Sequence, residues 1–436
     1  MIRLANVLIV HDDANVTEAV TARLSHNGYH AICVTSLDQA LAHVHAGHLD
    51  LIIVGNSPMS QIDFGSALRA DRDGADIPVV IGVSQISARM MEDALSAGLD
   101  DVISWDCEDT ELIARLRPLV RLATMHSELD QRVAIGASLG QISRPQQLNA
   151  SASCLPAILV IGQDHDGIAP LFLGMANITT SLNLYDAESL LERQNFDAAI
   201  LCAEGESEPY LAFSSQIRNN PRLFNLPLVM VLDGMDTAAE AYRHGASRVM
   251  IRPVPIDIFR PSVMMLVRRQ QLRWAIRSAL AECLEGPSRD MRTGAYSRAF
   301  LDQYLETRLS IAKTHQRHLA VVFFSIPNVE GVRSHFGDDA ADHLIQQLGQ
   351  WIGGLLRAED LTAIYGKHEF CVVLPDTPMV EAEVVMHRIA GVLAYTDFAV
   401  REVYQPIKVW VQVGCTNVKP NDTLDTLVTR ARSKLD

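Results

Sequence analysis

A succession of strand, acid and helix occurs twice in the first two thirds of this chain, and few folds can accommodate it. In the first copy, Val7–Val10 is apolar and runs into Asp12 and Asp13. A helical pattern covers Asn15–Asn27. Apolar strands are predicted at Leu51–Val54 behind Asp50, at Pro78–Val83, and at Val102–Ile103 behind Ala97-Gly98. Asp109 to about Asp130 predicts a long closing helix. The second copy places strands at Ile158–Ile161, followed by Gly162-Gln163-Asp164, at Ala198–Leu201 behind Asp197, at Leu226–Leu232, and at Val249–Ile251 before Arg252-Pro253. A helix over Ile256–Leu284 closes it. Strands that do not alternate apolar with polar, and that are separated by helices, are buried on both faces. Each copy therefore predicts a parallel sheet covered by helices. Gly136–Ser153 is small, polar and broken by Pro145, and reads as a linker.

The last third has a different grammar. Strands are predicted at Leu319–Ser325, Leu361–Tyr365, Glu369–Leu374 and Ile407–Cys415, and helices at Ser297–Ala312, Asp338–Leu356 and Met379–Ala394. Hairpins mixed with long helices predict an α+β domain with an antiparallel or mixed sheet. The domain limits that follow are 1–135, a linker at 136–155, 156–285, and 286–436, in keeping with about three domains for 436 residues.

Net charge is 37 − 52 = −15. That argues against nucleic acid and anionic membrane as broad electrostatic partners, and leaves room for a small anion held by a few arginines. The 7 cysteines are scattered with no paired spacing, which suits a reducing cytoplasm and thiols used as small apolar groups. His43, His45 and His48 cluster on a polar stretch, and no metal is expected there or elsewhere. No stretch approaches ~18 uninterrupted apolar residues, so no membrane insertion is expected. The opening MIRLANVLIVHDD reads as a buried first strand rather than a signal peptide.

The repeat resembles the receiver domain of response regulators, a flavodoxin-like fold of five parallel strands and five helices. A working receiver needs an aspartate nucleophile ending its third strand, an acid pair for Mg²⁺, a Thr or Ser ending the fourth strand, and a Lys before Pro ending the fifth. In the first copy Asp12 and Asp13 can supply the acids, but the other positions fall on Gly55, Val83 and Trp105-Asp106. In the second they fall on Cys202, Leu232 and Arg252-Pro253, with Asp164 left of the acid pair. Neither copy is expected to accept phosphate; both read as docking and dimerisation modules.

The last domain resembles GGDEF domains, which have a nucleotidyl-cyclase-like fold. DMRTGAYSR at Asp290–Arg298 is similar to the family's DxLTGLxNR, HFGDDAAD at His335–Asp342 to FGHxxGD, and YGKHEF at Tyr365–Phe370 to YGGDEF; VLPDT follows at Val373–Thr377. Two receivers before a GGDEF domain are the order of the PleD type of response regulator. The resemblance implies an enzyme that joins two GTP molecules with carboxylate-held metal ions. Here those carboxylate positions fall on Ser325 and His368, and the second hairpin glycine on Lys367. The guanine-reading Asn falls on Arg333, with its partner kept as Asp342. Arg430 and Arg432 are not expected to replace the triphosphate-holding basic residues of the family. The cyclase is expected to be inactive.

Arg357-Ala-Glu-Asp360 resembles the RxxD inhibitory site of this family, and Asp360 keeps the family's spacing to Gly366. A second arginine of that site matches Arg388. The chemistry suits guanine: a guanidinium can donate in parallel to O6 and N7 and can stack on a base, and a carboxylate can accept from N1–H and N2–H. The resemblance implies a cyclic di-GMP effector without metal, acting through protein partners of a regulated-proteolysis or polar-localisation pathway in the bacterial cell cycle, cytoplasmic and at a cell pole. It also implies a homodimer through the receivers, with Met90, Leu95 and Tyr242 near the contact. Two other readings stay open: a residual diguanylate cyclase, and a ligand-independent scaffold in which Arg357 and Asp360 are a plain surface pair worth ~0–1 kcal/mol.

Overall fold

The computed structural model describes residues 3–56, 59–71, 73–140, 155–220, 222–282, 286–401 and 403–436. The described residues form two compact units, one of 5–123 with 155–276, the other of 3–4, 124–140 and 277–436.

The first unit holds both repeats. The first repeat runs β1 (Ala5–Val10), α1 (Ala14–His26), β2 (Tyr29–Val34), α2 (Leu37–His45), β3 (Leu51–Val54), α3 (Gln61–Ala70), β4 (Val79–Val83), α4 (Ala88–Ser96), β5 (Asp101–Ser104) and α5 (Asp109–Ser138). The second runs β6 (Ala157–Ile161), β7 (Asn177–Ser181), α6 (Leu184–Arg193), β8 (Ala198–Cys202), α7 (Glu208–Asn219), β9 (Leu228–Leu232), α8 (Ala238–Arg243), β10 (Arg248–Ile251) and α9 (Ile256–Glu282). Each makes a five-stranded, all-parallel sheet in the same order, β2-β1-β3-β4-β5 and β7-β6-β8-β9-β10. The inner strands are apolar because helices cover both their faces. The second repeat departs from five helices. Its first crossover is a 3-10 turn, Ala169–Phe172, flanked by the positive-φ Gly167 and Gly174. Phe172 fills the space beneath, 6.2 Å from Phe259.

The two repeats meet through a buried charge cluster. Asp101 of β5 is 2% exposed. It accepts from Arg115 Nε at 3.0 Å and from a terminal nitrogen at 2.7 Å, and also from Arg248 on β10. Burial alone would raise its pKa; Arg115 and Arg248 overcome that and hold it below the ordinary carboxylate range. Arg260 pairs with Glu92, and Arg268 donates to the Leu95 carbonyl at 2.9 Å. Met90 and Leu95 pack on a cluster that includes Met265 of α9, and Tyr242 lies under the charges of Glu111 and Arg115. The residues put forward for a contact between two chains are therefore engaged between the two repeats of one chain. Cys202, Cys371 and Cys415 are buried, as expected of small apolar groups, but Cys33 is exposed.

The second unit contains α10 (Arg298–Thr314), β11 (Leu319–Ser325), α11 (Val329–Phe336), α12 (Asp338–Gly354), β12 (Leu361–Ile364), β13 (Glu369–Pro375), α13 (Met379–Tyr395), β14 (Gln412–Asn417) and α14 (Leu424–Arg432). Its sheet, β12-β13-β11-β14, is wholly antiparallel. The last strand starts later than predicted, since Ile407 only bridges Phe398. The tail of α5 from Thr124 also belongs to this unit. The predicted linker start at residue 136 is thus corrected: the helix continues to Ser138 because Ile135 is buried against Phe300, Leu301 and Tyr304, and that burial outweighs the small polar composition. Most of the predicted linker lies outside the described residues. Among the described residues no helix is long and apolar enough to cross a membrane.

Replacing Asp101 by Asn should leave Arg115 and Arg248 buried without their shared anion and destabilise the first unit by about 3–5 kcal/mol at pH 7. The sign of the pH dependence follows from the depressed pKa: the stabilisation is present above the unfolded value of 3.8 and is lost as pH falls below it. Denaturant titrations should show the gap between wild type and D101N narrowing from pH 7 to pH 3; a constant gap would place the stabilisation elsewhere.

Candidate functional site

The residues Arg357 and Asp360 close the turn between α12 and β12. The Asp360 carboxylate accepts the Arg357 backbone amide at 2.9 Å, and the Asp360 amide donates to the Arg357 carbonyl at 3.2 Å. The three-residue spacing is thus first a turn device, an aspartate bonded to backbone just before its own position in the chain. Asp360 is 8% exposed. The guanidinium of Arg357 is about one third exposed and faces Glu381 of α13 at 3.6 Å. Two turns further along α13, the exposed Arg388 donates to the Leu355 carbonyl at 2.8 Å, a last-turn carbonyl that helix geometry leaves open. The structure gathers all three predicted residues around one turn, Leu355–Asp360.

Beside this turn lies a cleft of about 630 Å³, within the range of small-ligand pockets. Arg357 and Asp360 line it, and so do Arg132 of α5, Arg277 of α9, Arg289 and Tyr296. Arg289 stacks 4.0 Å over the Tyr296 ring. Burial works against the charge of Arg132, but Tyr296, Glu128 and Tyr304 hold its pKa above the ordinary arginine value. Four arginines and one carboxylate line the cleft, a lining that suits an anion that also offers flat rings. Sequence reasoning missed Arg132, Arg277 and Arg289. They lie outside every motif, and only folding brings them to the turn.

The hairpin at Gly366–His368 is a tight loop between β12 and β13, with the Tyr365 amide donating to the Glu369 carbonyl at 2.8 Å. Ser325, 4% exposed, lies opposite Glu369 in the sheet register. Lys367 is exposed, and the His368 carbonyl takes the Ile326 amide at 3.0 Å. Glu369 accepts from Arg432 at 2.9 Å. Arg432 and Arg298 flank the Tyr365 ring at 5.1 and 3.7 Å. Arg432 therefore does reach the hairpin, whereas Arg430 is spent on Asp422. The donor set is a hydroxyl, an imidazole and one carboxylate already paired with a cation. It does not fit the two Mg²⁺ ions that the fold implies, which need several free carboxylates. Arg333, at the position expected for a guanine-reading Asn, pairs with Asp342 at 3.4 Å and with Asp338, and Asp342 also faces Arg292 at 3.7 Å. Elsewhere among the described residues, His45, Asp71 and Asp73 bring ligand atoms within 4.8 Å of one another; His43 and His48 are not part of that group.

The two positions expected for a phosphate acceptor, Gly55 and Cys202, have different surroundings. In the first repeat a pocket of about 550 Å³ is lined by His11, Asp12, Asp13, Asn56 and Trp105. Asp13 is used to cap α1 through the Asn15 amide at 2.8 Å, and Asp12 takes the Asn56 amide group at 3.2 Å. A Cβ on Gly55 would lie 2.2 Å from the His11 ring and 2.8 Å from that of Trp105. The His11 ring, with Trp105 beside it, thus fills the space an acceptor side chain would need. In the second repeat burial, helped by Asp164, pushes the Cys202 thiol up to about 12. Asp164 caps the 3-10 turn through the Ile168 and Ala169 amides at 2.6 and 2.7 Å. Arg252 is held by Asp166 at 2.8 Å and Asp233 at 2.7 Å, two acids that position counting missed. Gly55→Ala should cost about 1–3 kcal/mol by overpacking. In a His11→Ala background it should cost distinctly less, a coupling that a double-mutant cycle in denaturant would measure; equal costs would mean His11 does not set this limit.

Residues 288–436 match the family model of the diguanylate cyclase GGDEF domain, and residues 7–117 that of the response regulator receiver domain. The response regulator PleD of Caulobacter vibrioides is 24% identical over 436 residues, covering 98% of this chain and 95% of that protein. The probable diguanylate cyclase DgcE of Escherichia coli is 32% identical over 114 residues, 26% of this chain and 10% of its own length. Among solved structures, the GGDEF domain of DgcB from Caulobacter crescentus in complex with c-di-GMP aligns at TM-score 0.33 and 18% identity, over 34% of this chain and 86% of that one. A receiver domain ahead of a GGDEF domain is the architecture of this chain, and it is similar to that of PleD across nearly the full length of both.

Proposed function

We propose that this chain is a cyclic di-GMP receptor, built on a GGDEF domain that does not carry out diguanylate cyclase chemistry. The observation that carries the reading is the convergence of Arg357, Asp360 and Arg388 on one turn beside a cleft lined by further guanidinium groups. Guanidinium groups match both halves of such a ligand, donating in pairs to guanine O6 and N7 and to phosphodiester oxygens. Asp360 serves mainly to shape the turn, since its carboxylate is buried and bonded to backbone. The hairpin supports the loss of chemistry: without free carboxylates to hold two metal ions, the charge developing on the transferred phosphoryl group has no counterpart.

The repeats support an output through protein contacts rather than phosphotransfer, since Gly55 and Cys202 stand at the acceptor positions. The PleD-type resemblance points to bacterial cell-cycle signalling, with protein partners in regulated proteolysis or polar localisation. A homodimer of this chain would use a surface other than the α4–α5 face, which the second repeat already covers.

Calorimetric titration of the full chain with cyclic di-GMP should show micromolar or tighter binding, and titration with GTP none. Arg357→Ala should weaken the dinucleotide by about 10- to 100-fold, the loss of one bidentate base contact. It should barely move thermal stability, because the Arg357–Glu381 pair is a surface pair worth ~0–1 kcal/mol. Incubation with GTP and Mg²⁺ or Mn²⁺ should yield no dinucleotide. Absence of cyclic di-GMP binding would leave a scaffold, and a product that vanishes in Glu369→Gln would establish a working cyclase.

A further inference from the structure

Arg132 lies near the end of α5, and its side chain is 3% exposed. One of its terminal nitrogens donates to the Glu359 carbonyl at 2.6 Å and to the Asp360 carbonyl at 3.2 Å. The same nitrogen and Nε reach the Glu128 carboxylate at 3.1 and 3.2 Å, one helical turn earlier. Glu128 is fully buried. It also accepts from the Tyr304 hydroxyl at 2.7 Å and faces Arg308 Nε at 3.3 Å. The chain of contacts thus starts on α10, crosses α5, and ends on two consecutive carbonyls of the turn that carries Arg357 and Asp360.

Those two carbonyls precede β12, and the turn they belong to is fixed from two sides. The Asp360 carboxylate holds the Arg357 amide, and Arg132 holds the Glu359 and Asp360 oxygens. Charge-assisted donors of this kind are the strong ones, and a planar guanidinium sets direction as well as distance. We infer that Arg132 is a positioning residue for the ligand turn, so that the closing helix of the first repeat forms part of the frame presenting Arg357 and Asp360. This inference rests on the proposed cyclic di-GMP reading. Without Arg132 the turn would spend less time in its binding shape, and the apparent Kd would rise by the inverse of that fraction.

The test uses the full chain and four proteins: wild type, Arg132→Met, Arg132→Lys and Thr124→Val. Thr124 sits on the same helix tail and bonds Asp376 at 3.2 Å, away from the turn. Calorimetry with cyclic di-GMP should show Arg132→Met weakened by about tenfold or more at unchanged stoichiometry. Arg132→Lys should recover part of the affinity, since an ammonium can still donate to both carbonyls. Thr124→Val should stay within about twofold of wild type. Wild-type affinity in Arg132→Met, or an equal loss in Thr124→Val, would overturn the inference, the latter by showing that general docking of the helix is what matters. If wild type itself fails to bind, the ligand reading falls. Hydrogen exchange of the 357–361 amides then decides the positioning role: selective acceleration in Arg132→Met, or in Arg132→Lys should the former not fold, upholds it, and unchanged exchange refutes it.

Discussion

A carboxylate with no exposed surface needs cations and hydroxyls in place of the water it has lost. Glu128 meets that condition with Arg132, Arg308 and Tyr304, and much of the C-terminal unit is arranged to supply them. The tail of α5 must lie against α10, Tyr304 must turn its hydroxyl inward, and Arg132 must extend far enough to touch the ligand turn. Asp376, partly buried among Arg317, Arg308 and Thr124, is matched in a similar way. Asp101 does the same for the paired repeats. Arginine is the residue that allows this, because a planar guanidinium can satisfy a carboxylate and a carbonyl at once.

The sites where chemistry would be expected follow the opposite rule. Their charges are not poised for an incoming group but are already matched. Arg252 has Asp166 and Asp233, Glu369 has Arg432, and Arg333 has Asp338 and Asp342. In the first repeat the matching is steric, with the rings of His11 and Trp105 standing where a nucleophile would project. Each arrangement lowers the tendency to bind metal or phosphate, and each leaves the surrounding sheet unchanged. The cleft beside Arg357 is lined by four arginines and one acid, Asp360, with Glu128 and Glu381 paired to Arg132 and Arg357.

How legible this was depended on what each residue touches. Leu51–Val54 and Leu319–Ser325 match the predicted strands residue for residue, because a strand buried on both faces has no reason to include polar residues. The edge strands β2 and β7 gave little signal: one face of each meets solvent, and NITTS at Asn177–Ser181 reads as loop. The helices α11 and α14 are 8 and 9 residues long, too short for an apolar period to repeat over several turns. Motif order located Arg357, Asp360 and Arg388, and the structure sets them around one turn. Arg132, Arg277 and Arg289 could not be found that way, since no local pattern marks an arginine whose partners lie in another part of the chain.

Helix α5 begins in one compact unit and ends in the other, and this bears on how such a chain could be rearranged in evolution. The stretch that matches the GGDEF family starts at residue 288, yet the unit containing it also takes Thr124–Ser138 from far upstream. A recombination event that cut cleanly between the recognisable domains would carry the cleft away without Glu128, Arg132 or Ile135. The three segments are therefore not interchangeable beads on a string: the first repeat cannot be swapped for a foreign one without also replacing a strip of the last domain's core.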